Sequence, residues 1–109
     1  MKNYNLGEFE ELVLLVVAAL NGEAYGVIIQ ETLISHTSRN VNISAVHVAL
    51  KRLSDKGFLK SKFGGITEER GGRRKKFYTI TALGKRVIDA QYELRTSLYK
   101  QISNLSFGR

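Results

Sequence analysis

Nine consecutive apolar residues, Leu12 to Leu20, constrain this chain more than any other feature. Three acids, Glu8, Glu10 and Glu11, precede the run and Gly22 follows it. The segment therefore reads as a helix from Glu8 to Leu20, with acids at its positive end and a glycine stop. A helix that is apolar on every side belongs inside a core rather than on a surface. It is too short for a membrane span, which needs about 20 residues. The acids also stand where a signal peptide would carry basic residues. The run predicts a central core helix that reaches into a subunit contact.

With 109 residues there is room for one such core and no second independent domain. Downstream, Val27, Ile28, Ile29, Leu33 and Ile34 give one broad apolar face, which predicts a second helix from about Ala24 to His36. The polar stretch Thr37 to Asn42 reads as a loop, with a very short strand at Val41 to Ile43. Ser44 suits the N-cap of a third helix, Ala45 to Lys56, and Gly57 its left-handed stop. In that helix Val46, Ala49, Leu50 and Leu53 share the inner face.

After Gly57 the period changes. Phe58 to Phe63 and Lys76 to Thr81 are short segments rich in aromatic and β-branched residues, and Gly64, Gly65, Gly71 and Gly72 lie between them. That pattern predicts a β-hairpin with a long basic tip. Thr81 then caps a last helix from Ala82 to about Asn104, roughly 35 Å long at 1.5 Å per residue. The predicted class is α+β and mostly α: three helices, a two-stranded wing and a long C-terminal helix. This is the order of a winged helix-turn-helix, whose third helix enters the DNA major groove. Residues 1–81 form the DNA-binding part and residues 82–109 the dimerisation helix of the same compact domain.

The charge is concentrated. From Lys51 to Lys76 there are ten basic residues (Lys51, Arg52, Lys56, Lys60, Lys62, Arg70, Arg73, Arg74, Lys75, Lys76) and three acids (Asp55, Glu68, Glu69). Outside this stretch the charges cancel, so the whole net charge of +7 falls within it. A cationic strip of this kind, folded into a single surface, suits a polyanion.

Three stretches resemble the PadR family of transcriptional regulators in its short form with a single C-terminal helix. They are Leu14 to Gly26 (LLVVAALNGEAYG), Leu50 to Leu59 (LKRLSDKGFL) and Gly71 to Gly84 (GGRRKKFYTITALG). The resemblance spans about Glu8 to Asn104. It implies a homodimeric repressor on a pseudo-palindromic operator, released in some members by a small aromatic effector. Where the family usually has Thr-Leu-Tyr early in the recognition helix, this chain has Ala45, Val46 and His47, and it has no tryptophan.

Combining the two lines of argument, Ser44, Ala45, His47 and Val48 are placed at base edges of duplex DNA. Lys51, Arg52, Arg70, Arg73, Arg74 and Lys75 are placed at phosphates, where contacts position the protein without reading sequence. The homodimer interface is expected at Leu12, Leu15, Val87, Leu94, Leu98, Ile102 and Leu105, because a monomer would leave the stripe on the last helix in water. Tyr92, Leu94 and Tyr99 are the candidates to line an effector groove.

Catalysis finds no support. His36 and His47 are the only histidines, no HExxH or paired-carboxylate pattern accompanies them, and no glycine pair is followed by the GK[ST] of a phosphate loop. No cofactor or metal is expected. Absence of cysteine removes disulfides and thiolate sites and favours a cytoplasmic location. Two other readings share the architecture: a winged-helix module for protein contacts, and a sensor that binds a hydrophobic ligand in the dimer groove.

Overall fold

A computed structural model of the chain describes residues 6–66, 74–103 and 105–108. The order is α1 (Glu8–Leu20), α2 (Gly26–Thr37), α3 (Ile43–Asp55), β1 (Leu59–Ile66), β2 (Arg74–Ile80) and α4 (Ala82–Lys100). The two strands form an antiparallel wing, so the architecture is the expected winged helix-turn-helix.

Helix α1 has the expected span. Its chain reversal uses two left-handed residues, Asn21 (φ 48°) and Gly22 (φ 93°), and the Asn21 N–H reaches the carbonyls of Val17 and Ala18. All-round burial is not found. Val13, Leu14 and Val17 are buried, whereas Leu15 is 43% exposed and Ala19 also faces out. The other elements cover α1 on its remaining sides, and the side carrying Leu12, Leu15, Val16 and Ala19 opens into a groove of about 280 Å³ against Leu33, His36 and Thr37 of α2.

Helix α2 starts two residues later than predicted. The Ala24 carbonyl accepts the N–H of Tyr78 at 2.9 Å, a single bridge to the wing that keeps Ala24 and Tyr25 extended. The short strand expected at Val41 to Ile43 is absent. Val41 is instead a buried anchor of the turn, its carbonyl taken by Gln30 Nε2 at 2.9 Å. Helix α3 begins at Ile43 because Asn42, not Ser44, is the cap. The Asn42 side-chain oxygen accepts the Ser44 N–H at 2.7 Å, as asparagine does at a helix start. Gly57 provides the expected left-handed stop (φ 85°).

The inner face of α3 (Val46, Ala49, Leu50, Leu53) packs with Leu14, Val17, Ile29, Leu33 and Phe58 in one core. From that core the wing runs outward in regular register, Leu59 opposite Ile80 through Phe63 opposite Lys76, and becomes irregular before Ile66 opposite Arg74. Gly64 has a packing reason, since a Cβ there would meet the Phe77 ring at 2.6 Å. The aromatic face lies over the bare backbone, a device that protects a glycine in a strand. The Gly71-Gly72 tip lies outside the described residues.

Thr81 caps α4 as predicted, accepting the Gly84 N–H at 3.0 Å, and its hydroxyl also donates to the Gly57 carbonyl at 2.7 Å. Gly84, Val87 and Ile88, in the first two turns, are the buried residues of α4. An Arg95–Glu11 ion pair at 2.8 Å then ties it to α1. The helix ends at Lys100, short of the predicted Asn104, which is outside the described residues. Among the described residues no helix is long and apolar enough to cross a membrane.

Candidate nucleic-acid interface

With the inner face of α3 in the core, Ser44, Ala45, His47, Val48, Lys51 and Arg52 are all exposed. Successive helical residues turn by roughly 100°, so Lys51 stands one turn beyond His47 on the same side and Arg52 turns away. The cations of α3 have acidic neighbours. Lys51 pairs with Asp55 at 3.2 Å, while Arg52 Nη1 lies 3.6 Å and Lys56 Nζ 2.8 Å from the carboxylate of Glu10 on α1. Beside them Glu8 is hydrogen-bonded to Arg39, whose guanidinium holds that carboxyl below its ordinary range.

The wing differs. Strand alternation places Lys60, Lys62 and Lys75 on one face with Phe77 and Thr79, and Lys76 on the other with Phe63 and Tyr78. Among the described residues none of these four lysines has an acidic partner within 4.0 Å. Lys75 Nζ sits 4.2 Å above the Tyr25 ring, and Tyr25 meets Phe77 edge-on with centroids 5.6 Å apart. Lys76 Nζ lies 5.8 Å from the rings of both Phe63 and Tyr78. Between the start of α2, α3 and the wing is a cleft of about 480 Å³ lined by Tyr25, Gly26, Val27, His47, Lys75, Lys76 and Tyr78.

The cationic strip is therefore divided. Lys75 and Lys76 border the cleft with His47, whereas Arg52 and Lys56 turn toward Glu10. Arg70 and Arg73 lie outside the described residues, and of Arg74 only the backbone is described, in β2. At the expected dimer interface, Leu12 is half-buried and Leu15, Leu94, Leu98, Ile102 and Leu105 are exposed. Val87, by contrast, is 6% exposed and belongs to the protomer's own core. Tyr92 and Tyr99 share one side of α4, but Leu94 lies roughly 160° around from Tyr92. The three do not line one groove within a protomer.

Three features escaped sequence reasoning. Glu10, read only as a favourable charge at the α1 N-terminus, also pairs with two cations of α3. The α1–α2 groove was hidden within a run that looks uniformly apolar. Tyr25-Gly26, read as the opening of α2, lines the cleft, and a Cβ on Gly26 would meet His47 Cε1 at 2.9 Å. The Tyr-Gly pair was the available signal, but its contacts are all long-range. Among the described residues no cluster of His, Asp and Glu has the arrangement of a metal site.

Residues 13–90 match the model of the transcriptional regulator PadR-like family. No curated protein gives a sequence match. Among solved structures, a PadR-like transcriptional regulator from Bacillus cereus is 19% identical over 93% of each chain, with a TM-score of 0.72. A PadR family transcription regulator from Clostridium difficile R20291 is 23% identical over 86% of this chain and 93% of its own (TM-score 0.69). A PadR-like transcription factor from Bacteroides fragilis is 20% identical over 84% of each (TM-score 0.70). At these identities the structural likeness speaks for the fold.

Proposed function

Since this chain belongs to the PadR-like family of transcriptional regulators, we propose that it binds duplex DNA as a homodimer and represses transcription from a pseudo-palindromic operator. It acts as a regulator rather than as an enzyme. The observation that carries the reading is the edge of the wing beside α3: Lys75 and Lys76, without acidic partners among the described residues, line the cleft with His47, while Lys60 and Lys62 add positive charge elsewhere on the wing. Such a surface attracts a phosphate backbone, and the helix next to it is presented for base contact. Ser44, Ala45, His47 and Val48 face base edges. Lys51, Arg52, Arg70, Arg73, Arg74 and Lys75 serve phosphates, with Lys51 and Arg52 each partly compensated by an acidic neighbour, Asp55 and Glu10.

Residues 82–109 serve dimerisation, although the first turns of α4 belong to the same core as residues 1–81. The support is exposed apolar surface: Leu94, Leu98, Ile102 and Leu105 are each more than half exposed, and Leu12 and Leu15 line an open groove. Surface of this kind marks an association site. Paired protomers hold their recognition helices about one DNA turn, roughly 34 Å, apart. A small aromatic effector that binds at the dimer groove and releases the protein from its operator completes the proposal. The protein-contact module is disfavoured, because it calls for an apolar or acidic α3 face where this one carries His47, Lys51 and Arg52.

The test is a gel shift on promoter DNA as a function of salt. For about 6–10 phosphate contacts, affinity falls by roughly 10³–10⁵ between 50 and 200 mM salt. No retardation at low salt would refute DNA binding.

A further inference from the structure

The proposed role of His47 at a base edge requires that its ring be held in one place, yet it lies on an exposed helix face. Neither ring nitrogen has a hydrogen-bond partner among the described residues. What the ring does have is a seat. Its carbon edge rests on the bare Cα of Gly26, where an ideal Cβ would be 2.9 Å from Cε1, 3.4 Å from Nε2 and 3.8 Å from Nδ1. Real Cβ atoms essentially never approach that closely, so any side chain at position 26 obliges the imidazole, the far end of a surface side chain, to shift.

Backbone conformation does not explain the glycine. Gly26 is the first residue of α2, it has no left-handed φ, and alanine is the better helix former there. The space left for His47 is the feature that a Cβ would remove.

The seat is also tied to the wing. The residue before it, Tyr25, lies under the Lys75 ammonium at 4.2 Å and packs edge-on against Phe77 at 5.6 Å. One residue earlier, the Ala24 carbonyl accepts the Tyr78 N–H at 2.9 Å. The three residues Ala24, Tyr25 and Gly26 thus join β2 on one side and the His47 ring on the other.

We infer that Gly26 is a positioning residue for DNA sequence preference: by lacking a side chain it fixes the His47 imidazole, on the cleft between α3 and the wing, in the orientation from which it contacts a base. The inference deepens the DNA-binding reading and rests on it. Gly26 touches no DNA itself.

The experiment is a double-mutant cycle on the full chain. An operator is selected from random duplexes with the wild-type protein. Binding to it and to a scrambled duplex of equal length is then measured by fluorescence anisotropy at one salt concentration for wild type, Gly26→Ala, His47→Ala and the double variant. Gly26→Ala keeps its melting temperature, because the displaced atoms are the far end of a surface side chain. It nevertheless loses about tenfold in the ratio of operator to scrambled affinity, the scale of one base contact. His47→Ala loses the same, and the double variant loses no more than His47→Ala alone.

Unchanged discrimination in Gly26→Ala overturns the inference. So does an equal loss on both duplexes, which would assign His47 to a phosphate, or a further loss from Gly26→Ala in the His47→Ala background, which would make Gly26 merely structural. A loss of stability in Gly26→Ala that persists in the His47→Ala background also overturns the inference, because the Cβ would then be meeting something other than the imidazole. A wild-type protein that binds neither duplex overturns the DNA-binding reading itself, an outcome distinct from every variant result.

Discussion

Gly84, in the first turn of α4, lies directly against the carbonyl oxygen of Phe58, so that a Cβ on Gly84 would occupy the place of that oxygen and crowd Ile80 Cγ1. The same carbonyl accepts the Thr81 N–H at 3.0 Å, so the obstacle is hydrogen-bonded backbone that cannot swing aside. Gly84→Ala should therefore cost about 1–3 kcal/mol despite the gain in helix propensity, as overpacking does. A thermal melt checks it, with a drop of roughly 4–15 °C expected for a domain of this size. A melt at or above the wild-type temperature would refute the packing argument.

Burial raises the Tyr78 phenol above its ordinary pKa of 10.0. The folded state therefore favours the neutral phenol. The stability this contributes is fully present below about pH 10 and is lost as pH rises through the raised value. Tyr78→Phe keeps the ring and removes the proton. As pH rises above about 10 the wild-type melting temperature should fall more steeply than that of the variant. Parallel curves would show that the phenol titrates as an ordinary exposed group.

Glu10 sits between Arg52 and Lys56 and offsets their charge on the flank of α3. Under the DNA-binding proposal, Glu10→Gln should tighten binding at low salt by up to about fivefold, the range implied by an ion pair of about 0.2–1 kcal/mol. The gain should shrink as salt rises, since exposed charges are screened. Titrations at two salt concentrations check both points. Weaker binding in the variant would mean that Glu10 mainly holds α3 in place.

Leu94 and Leu98 are 55% and 59% exposed, one helical turn apart. If this stripe is the dimer contact, Leu98→Asp places a charge in it and should yield a monomer by sedimentation velocity, with the far-UV helical signal largely retained. Operator affinity should fall together with dimerisation. A variant that stays dimeric would move the interface elsewhere, the α1–α2 groove being the next site to examine.

The local code was legible in the residues. Acids before an apolar run and a glycine beyond it delimit α1. Thr81 caps α4, Gly57 stops α3, and the alternation around Phe77 and Tyr78 announces a strand. These signals act within a few residues and depend on hydrogen bonds and dihedral preferences that any context preserves. The family stretch Leu14 to Gly26 and the described part of the wing stretch, Arg74 to Gly84, likewise sit where the fold needs them, and the order of elements was enough to predict the winged helix.

What the tertiary structure decided are matters of who touches whom. The start of α2 moved because Ala24 is hydrogen-bonded to Tyr78, 54 positions away in the chain. Val87, indistinguishable by period from Leu94 and Leu98, went into the core because α4 leaves the body of the protein after its first turns. Arg52 was drawn to Glu10, and Gly26 became a seat for His47. Periodicity assigns a residue to a face of its own helix, but only packing fixes what that face meets. Pair contacts over long separations depend on the positions of whole elements, which no local pattern encodes.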